Sequence, residues 1–301
     1  MSSALLPAHP QVAVIGAGNM GGAMLARLCE AGWAVSVCDV DPLRQTQAEA
    51  CGALAQPTPL SAVQGLQPDG LVLIAVVDAV QTWEVLTGEQ GVLAGLKPGH
   101  TVMLCPTLSP QDVIALQARL GAGGVYCIDA PMSGGPLRAR EGTMSLMVAC
   151  ADLVFERHAA LLQTLSQKIF RISTQVGDGA KTKLVNNLLA AVHLSGAAEA
   201  LALAERLGLN PHTTLDVMAQ SSGQSWIASD RMPRALAGDF APRAHVTLLE
   251  KDTRLAMNMA RSVGFNASMG ALARDVFAQA SAEGLAQEDD AALLKWMRRH
   301  R

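Results

Sequence analysis

One short stretch near the amino terminus, VAVIGAGNMGGAM, does most to limit the folds open to this chain. Its glycines Gly16, Gly18 and Gly21 have G-x-G-x-x-G spacing, and they stand between an apolar, strand-like run and a helix-like segment. In that context the glycines permit a tight turn, close approach of a pyrophosphate, and contact between helix and strand. The helix N-terminus adds N–H groups and a partial positive charge. The stretch therefore predicts a dinucleotide site at Gly16, Ala17, Gly18, Asn19, Met20 and Gly21.

Further apolar runs follow in the first half of the chain, separated by helix-like stretches. Together with the first run they cover residues 11–18, 33–40, 70–77, 100–107, 125–131 and 144–150. Such runs are typical of strands buried on both faces in βαβ units. We predict a doubly wound, parallel α/β sheet of the Rossmann type over residues 1–176. Val76 and Val77, which end the third run, are also predicted to contact the cofactor.

Strand signals stop after about residue 178. One long helix is predicted from Lys181 up to Gly208, with Pro211 beyond it. More helical pattern follows at 211–220, 226–237, 246–262 and 267–283. Residues 177–301 are therefore predicted to form an all-helical domain for substrate binding and oligomerisation.

Composition excludes several classes of function. Charged residues make up 16% of the chain, the formal net charge is −3 and aromatic residues are only 3%, so a nucleic-acid partner is not expected. The clean apolar runs are strand-sized, and a membrane-spanning helix needs roughly 20 residues. The amino-terminal MSSALLPAHPQ lacks the basic start and apolar length of a signal peptide.

The cysteines and histidines point to a reducing compartment without a metal. Six cysteines are scattered with no CxxC pair, and seven histidines lie too far apart to show metal-ligand spacing. We therefore expect neither disulfides nor a metal site, and the predicted compartment is the cytoplasm.

Asp39 supplies the second part of the dinucleotide pattern, because an acid about 20 residues after the glycines binds the ribose hydroxyls. A carboxylate there repels a 2′-phosphate, and residue 40 is valine rather than arginine. NAD is therefore predicted as the cofactor in preference to NADP, although Arg44 could partly offset the repulsion.

Two lysines stand close together in GDGAKTKLVNN, at residues 177–187. At about 100° per residue, Lys183 and Asn187 share a helical face, whereas Lys181 points to the opposite side. Asn186 lies about 60° from that face, where it would pack at a pocket edge or bond the backbone. His193 points away from it, as a packed or partner-facing residue.

Taken alone, each lysine is better explained as a solvated surface residue at a helix start. Lys183, however, leads an apolar, alanine-rich face that also carries an asparagine, and polar groups on such a face need partners or a task. Hydride transfer to or from a nicotinamide needs an acid/base beside the substrate oxygen. A partly desolvated amine can take up and release that proton, so Lys183 is the candidate.

Four motifs resemble the signatures of the β-hydroxyacid dehydrogenases, in order along nearly the whole chain. They are CPTLSP (105–110), DAPMSGG (129–135), GDGAKTKLVNN and LLEKDTRLA (248–256). The resemblance implies that Lys183 is the general acid/base and that Asn187 holds the substrate hydroxyl or carboxylate. It implies a substrate carboxylate site at Ser133, Gly134 and Gly135, and cofactor contact at Thr107. Lys251 would approach both cofactor and substrate, and Asp252 the cofactor.

Three further stretches resemble the branch of that family that oxidises L-threonate, a four-carbon sugar acid, at C2. They are SGQSW (222–226), AVHLSGAAEALAL and QEDDAALLKW. Trp226 could line the substrate pocket or be a buried structural residue. The chain departs from the family pattern at Pro106, where serine is usual, and at Cys150, where glycine is often found.

The predicted function is NAD-dependent oxidation or reduction of a small hydroxy acid. Activity on 3-hydroxyisobutyrate or tartronate semialdehyde is the alternative. Imine reduction and a non-enzymatic dinucleotide-binding role are disfavoured, because relatives of those kinds are expected to lack the lysine. A decarboxylating 6-phosphogluconate enzyme would need a larger helical domain. The family resemblance and the alanine-rich helix imply a homodimer or homotetramer.

Overall fold

The computed structural model describes residues 11–299. All but the last residue of MSSALLPAHPQ lies outside that range, as do His9 and His300. The chain forms two compact units that divide within a long helix, between Lys183 and Leu184. The predicted domain boundary at 176/177 stays a prediction.

The first unit is built on one nine-stranded sheet. Its strands are β1 Val12–Ile15, β2 Val35–Cys38, β3 Leu54–Ala55, β4 Leu71–Ile74, β5 Thr101–Leu104, β6 Tyr126–Asp129, β7 Met132–Ser133, β8 Ser145–Ala149 and β9 Lys168–Ser173. Their order is β3-β2-β1-β4-β5-β6-β8-β7, and β9 pairs with β8. Strands β1 to β6 pair in parallel. The Rossmann-type domain is confirmed.

The sheet is dominated by parallel pairs, as predicted, and it also contains antiparallel pairs at one strand. Strand β8 runs antiparallel to both β6 and β7, and it pairs in parallel with β9. Strands β3, β7 and β9 were not predicted. The first two are only two residues long, and β9 (KIFRIS) contains no buried residue and mixes charged, polar and apolar side chains without strict alternation.

The helices of the first unit are α1 Asn19–Glu30, α2 Pro42–Ala50, α3 Pro59–Val63, α4 Ala79–Thr87, α5 Pro110–Gly121, α6 Gly135–Glu141, α7 Asp152–Arg157 and α8 Ala159–Leu165. The N-termini of α2, α3, α4 and α5 are capped by the side-chain oxygens of Asp41, Thr58, Asp78 and Ser109, respectively. The sheet is packed on both faces, because Val12 and Val14 of β1 belong to one apolar cluster and Ala13 and Ile15 to another. This alternation places helices on both sides, as the doubly wound prediction requires.

The second unit is helical, as predicted. It contains most of α9 Asp178–Arg206, then α10 Pro211–Gln220, α11 Trp226–Leu236, α12 Val246–Ser262, α13 Ser268–Ala280 and α14 Leu293–Arg299. A π-helical turn at Ser281–Leu285 and a 3₁₀ turn at Asp290–Ala292 precede α14. Fully buried Leu194, Ala198 and Leu201 of α9 pack in its core with Phe277 of α13.

Helix α9 alone, among the described residues, is long and apolar enough to cross a membrane by length and composition. This helix is an exception to the expectation that the apolar runs are only strand-sized. Core helices of soluble proteins pass the same test, and half of its most apolar window is buried within the protein.

Candidate active site

The predicted cofactor loop lies at the turn from β1 to α1. Gly16 has φ +92°, and a Cβ there would lie 2.8 Å from the carbonyl oxygen of Ala75. A Cβ on Gly21 would lie 1.9 Å from the carbonyl oxygen of Gly16. A Cβ on Gly18, by contrast, would meet no protein atom within 4 Å. Two glycines are therefore required by backbone packing, and the third faces open space.

That open space lies at the N-terminus of α1, which has no side-chain cap and no acidic residue in its first turn. Asn19 and Met20 open this helix, where N–H groups have no acceptor within the helix. A cavity of about 230 Å³ lies here, bordered by Ala17, Gly18, Arg44 and Pro136 among others. These residues fit a dinucleotide pyrophosphate, because the backbone is accessible and its N–H groups attract an anion.

The carboxylate of Asp39 is held beside the same loop. Its Oδ2 accepts a hydrogen bond from the Ala17 N–H at 2.5 Å, and its Oδ1 accepts one from the Asp41 N–H at 2.9 Å. Asp39 therefore ties the glycine loop to the end of β2, a structural task that the sequence pattern did not reveal. Arg44 reaches Asn19 Oδ1 at 3.5 Å, beside that cavity.

The other predicted cofactor residues also follow strands of the parallel part of the sheet. Val76 and Val77 lie just beyond β4, and Thr107 lies three residues beyond β5. Gln81 holds the loop after β4 by accepting a hydrogen bond from the Val77 N–H at 3.0 Å. The carboxyl ends of parallel strands share one edge of the sheet, and ligands of doubly wound folds bind there.

The structure separates the two lysines as the helical phase predicted. Lys183 is 7% exposed, and its Nζ donates a hydrogen bond to the Met132 carbonyl oxygen at 2.6 Å. The Lys181 side chain is 54% exposed, and its Nζ lies 2.7 Å from Asp178 Oδ1. Lys183 is thus a buried amine with a fixed position, and Lys181 is a surface residue in an ion pair.

The acceptor Met132 directly precedes the predicted carboxylate loop. Ser133 ends β7 and pairs with Ser145 of β8. Gly134 and Gly135 follow at φ +132° and +78°, conformations that other residues rarely adopt. The loop therefore brings accessible backbone and the Ser133 hydroxyl next to the residue that holds Lys183.

In the second unit, a second set of predicted residues comes together around a buried carboxylate. Asn187 Nδ2 donates to Asp252 Oδ2 at 2.6 Å, and Lys251 Nζ lies 3.1 Å from Asp252 Oδ1. Both Asn187 and Asp252 are buried. Asn186 donates to Asn187 Oδ1 at 3.0 Å. This bond is to a side chain, whereas one of the two predictions for Asn186 was a bond to the backbone. Asp252 therefore orients Asn187.

Trp226 and His193, whose roles the sequence did not decide, both lie at the surface of the described chain. Trp226, the first residue of α11, is 42% exposed, so the prediction of a buried structural role is wrong. His193 is also exposed. Within residues 11–299, no group of three metal-ligating side chains comes together.

Asp129 is a buried carboxylate for which the sequence predicted no role. Asp129 ends β6 and begins DAPMSGG, and its Oδ2 accepts hydrogen bonds from the N–H groups of Gly177 and Ala180 at 2.9 and 3.0 Å. An acid at the end of an otherwise apolar strand is the signal that could have indicated it.

Two family models together match almost the whole chain. Residues 11–174 match the NAD binding domain of 6-phosphogluconate dehydrogenase. Residues 177–297 match the model described as NAD-binding of NADP-dependent 3-hydroxyisobutyrate dehydrogenase.

Individual proteins match over nearly their full length. The L-threonate dehydrogenase of Cupriavidus necator is 37% identical over 285 residues, covering 94% of this chain and 95% of that protein. The L-threonate dehydrogenase of Pectobacterium atrosepticum is 36% identical over 284 residues, covering 94% and 93%. The crystal structure of a 3-hydroxyisobutyrate dehydrogenase from Salmonella typhimurium matches with a TM-score of 0.88 and 33% identity, covering 95% of this chain and 99% of that one.

Proposed function

This chain belongs to the 3-hydroxyisobutyrate dehydrogenase-related family of β-hydroxyacid dehydrogenases, and we propose that it oxidises an L-threonate-like four-carbon sugar acid at C2 with Lys183 as general acid/base. It is an enzyme, a nicotinamide-dependent hydroxyacid dehydrogenase. The observation that carries the proposed proton transfer is the buried Lys183 amine, held at 2.6 Å from the Met132 carbonyl oxygen, and the similarity to two L-threonate dehydrogenases supports the proposed substrate.

In the proposed reaction, Lys183 takes the proton of the substrate hydroxyl as the carbon is oxidised. NAD, when bound, accepts the hydride from that carbon. In the reverse direction the Lys183 ammonium returns the proton to the carbonyl oxygen. Burial supports this role, because an amine removed from water and bonded to a carbonyl oxygen is held in one place.

The substrate carboxylate is assigned to the loop after β7. The Ser133 hydroxyl and the N–H groups of Gly134 and Gly135 can donate hydrogen bonds to it, a use of successive backbone N–H groups that suits an anion. Asn187 is assigned to the substrate hydroxyl or carboxylate. The contact between Asn187 and Asp252 at 2.6 Å supports this, because it fixes the orientation of the amide. Lys251 is assigned to both substrate and cofactor, and Asp252 to the cofactor.

NAD is the proposed preferred nucleotide, with NADP the weaker one. Asp39 directly follows β2, where an acid would bind the ribose hydroxyls and its negative charge would disfavour a 2′-phosphate. Val76, Val77 and Thr107 are assigned to the cofactor because they follow β4 and β5 at the edge where the glycine loop lies.

Matched lysine variants test the proposed proton transfer. We expect Lys183→Ala to abolish NADH formation while leaving NADH binding nearly intact. Lys181→Ala is the control in the same helix, and we expect it to keep turnover close to that of the wild type because that amine is at the surface. Retained activity in Lys183→Ala, or loss only in Lys181→Ala, would contradict the assignment.

A substrate screen tests the proposed specificity. NADH formation is measured with L-threonate, D-erythronate, D-glycerate and 3-hydroxyisobutyrate, and tartronate semialdehyde is tested in the reducing direction. The proposal predicts the highest kcat/KM for L-threonate. A higher kcat/KM for 3-hydroxyisobutyrate or tartronate semialdehyde than for L-threonate would favour the alternative, which is activity on that compound.

We further propose a homodimer or homotetramer in the cytoplasm. Support comes from Val185, Leu189 and Leu203 of α9, which are large apolar residues exposed on the single chain, and exposed apolar patches often mark subunit interfaces. Light scattering during size-exclusion chromatography measures the mass, and a monomer would contradict the proposal.

A further inference from the structure

Asp129 holds the beginning of α9 from the end of β6. Its side chain is buried, with 1% of the residue exposed, and its Oδ2 accepts from the Gly177 and Ala180 N–H groups. Gly177 directly precedes α9 and Ala180 is its third residue. N–H groups in this turn have no acceptor within the helix, so a carboxylate from another element supplies one.

The contact between this turn and the sheet leaves no spare room. A Cβ on Gly179 would lie 2.7 Å from the Met147 carbonyl oxygen and 2.9 Å from the Asp129 carboxylate. Gly177 has φ +104°, where side chains other than hydrogen are strained. Both glycines of GDGAKTK are therefore required for the helix to begin against the carboxylate of Asp129.

The same segment of chain also holds the Lys183 amine. Lys183 follows Ala180 by three residues in α9, and its Nζ donates to Met132, which follows Asp129 by three residues. The segment 129–132 thus fixes the lysine twice: its backbone through the first turn of α9, and its amine through a carbonyl oxygen.

We propose that Asp129 is a positioning residue for the reaction, because its carboxylate fixes the first turn of α9 and thereby the place of the Lys183 amine. It touches no reacting atom in this proposal and acts through the helix. The inference rests on the proposed role of Lys183 as general acid/base. It adds a residue to which the sequence motifs gave no task.

The surroundings of Asp129 make this anchor sensitive to pH. Burial raises the pKa of its carboxyl to about 6, against the lowering effect of the Ala180, Gly177 and Gly179 N–H groups, and the charge of Asp178 in α9 raises the pKa further. The thiols near it are Cys105 after β5, Cys127 in β6 and Cys150 after β8. Burial raises the pKa of all three, so they remain neutral. Asp129 is then the group in this cluster that changes charge near neutral pH.

Protonation weakens the anchor, because a neutral carboxyl is a poorer acceptor than a carboxylate. We therefore expect kcat of the wild type to fall as pH drops through about 6, with no parallel change in the KM for NAD. Asp129→Asn removes the titration and replaces the charged acceptor by a neutral amide oxygen or, with the amide flipped, by an NH₂ group that cannot accept from the two N–H donors. A misplaced amine is expected to lower kcat about tenfold to a hundredfold.

The experiment compares kcat, the KM for NAD and the pH profile of kcat in wild type, Asp129→Asn and Asp178→Asn. Asp178 is the matched control, because it is a carboxylate in the same turn that bonds Lys181 and Ser173 near the surface. We expect Asp178→Asn to keep kcat within about twofold, as surface changes usually do. Asp129→Asn should lose kcat and the part of the acidic limb that comes from Asp129, while keeping the KM for NAD; the limb that comes from the general base itself should remain in both proteins.

A second variant decides the question if Asp129→Asn does not fold. Ala180→Pro deletes one of the two donors and leaves the carboxylate, and proline is tolerated in the first turn of a helix. It should lower kcat less than Asp129→Asn and keep the acidic limb. Wild-type kcat in either folded variant, or a wild-type pH profile in Asp129→Asn, would overturn the proposal, as would a lowered melting temperature with no change in kcat. Activity in Lys183→Ala would instead refute the proposed function, so the two failures are distinguishable.

Discussion

Two glycine-to-alanine changes in the dinucleotide loop should separate folding from cofactor binding. Gly18 has φ −63° and ψ −162°, a backbone that alanine can adopt, and its Cβ would meet no protein atom within 4 Å. A Cβ on Gly21 would lie 1.9 Å from the Gly16 carbonyl oxygen and 3.0 Å from Ala75 Cβ. Gly21→Ala should therefore destabilise the protein, and Gly18→Ala should impair NAD binding.

The magnitudes follow from these contacts. Real Cβ atoms essentially never approach another heavy atom within 3.0 Å, so in Gly21→Ala the loop backbone must shift. Overpacking of this kind costs about 1–3 kcal/mol, which corresponds to a fall in Tm of roughly 2–12 °C for a unit of this size. Gly18→Ala replaces a helix N-cap glycine by alanine, at a cost of about 0.5–1 kcal/mol. Its methyl group occupies space predicted for the pyrophosphate, and we expect the Kd for NAD to rise about tenfold or more.

Thermal unfolding with and without NAD, together with the KM for NAD, measures both effects. A ligand that binds only the folded state stabilises it by RT ln(1 + L/Kd), where L is the free ligand concentration, so with NAD far above its Kd, tenfold weaker binding removes about 1.4 kcal/mol of that stabilisation. Gly18→Ala should unfold near the wild-type temperature without NAD and gain less from it. If Gly18→Ala binds NAD as the wild type does, the open space beside Gly18 is not the phosphate site. If Gly21→Ala keeps the wild-type Tm, the close packing inferred for the loop is wrong.

Three further predictions concern polar side chains. Asp252→Asn loses the charged acceptor of Asn187, and a charge-assisted hydrogen bond contributes about 1.5–3 kcal/mol. We therefore expect kcat/KM to fall about tenfold or more. An unchanged kcat/KM would contradict the assignment of Asp252 to the site. Asp39→Asn can still accept from the Ala17 N–H but loses its charge, so the ratio of kcat/KM for NADP to that for NAD should rise, whereas Asp39→Ala should weaken both nucleotides. Burial lowers the pKa of His158 to about 4, below that of an unfolded histidine, so the unfolded state binds more protons and stability falls as pH drops from about 6.5 to about 4. Chemical denaturation should show a loss of up to about 3 kcal/mol over that range, relative to His158→Gln.

Much of the fold could be predicted because its central strands carry their signal locally. β1, β4 and β5 are four-residue, mostly apolar runs buried on both faces, and their short length, β-branched residues and flanking turn residues distinguish them from buried helix segments. β7 could not be predicted, because two residues show no periodicity. β8 looked like another parallel strand, since the direction of a strand depends on how the chain returns to the sheet and not on its own composition.

The candidate site was predictable wherever its geometry is local to one element. Helical phase separated Lys181 from Lys183, because residues two apart on a helix point to different sides. The hydrogen-bond partners contributed by distant parts of the chain could not be predicted from the sequence. Asp129 lies 48 residues from Gly177, and Asp252 lies 65 residues from Asn187. No spacing rule links positions so far apart, so only the structure shows which carboxylate holds which group.

The fixed start of α9 gives a physical reason for proposing that only one of the two neighbouring lysines, Lys183, takes part in the reaction. Helical phase gives Lys183 a definite direction only if the first turn cannot rotate or slide, and Asp129 prevents both by holding the Gly177 and Ala180 N–H groups. With that turn fixed, the Lys181 amine stays with Asp178 on the exposed side. Lys181 therefore cannot replace Lys183 by a small movement, because the rotation required would break both hydrogen bonds to Asp129. Activity lost in Lys183→Ala should accordingly not be recovered by the lysine two residues earlier.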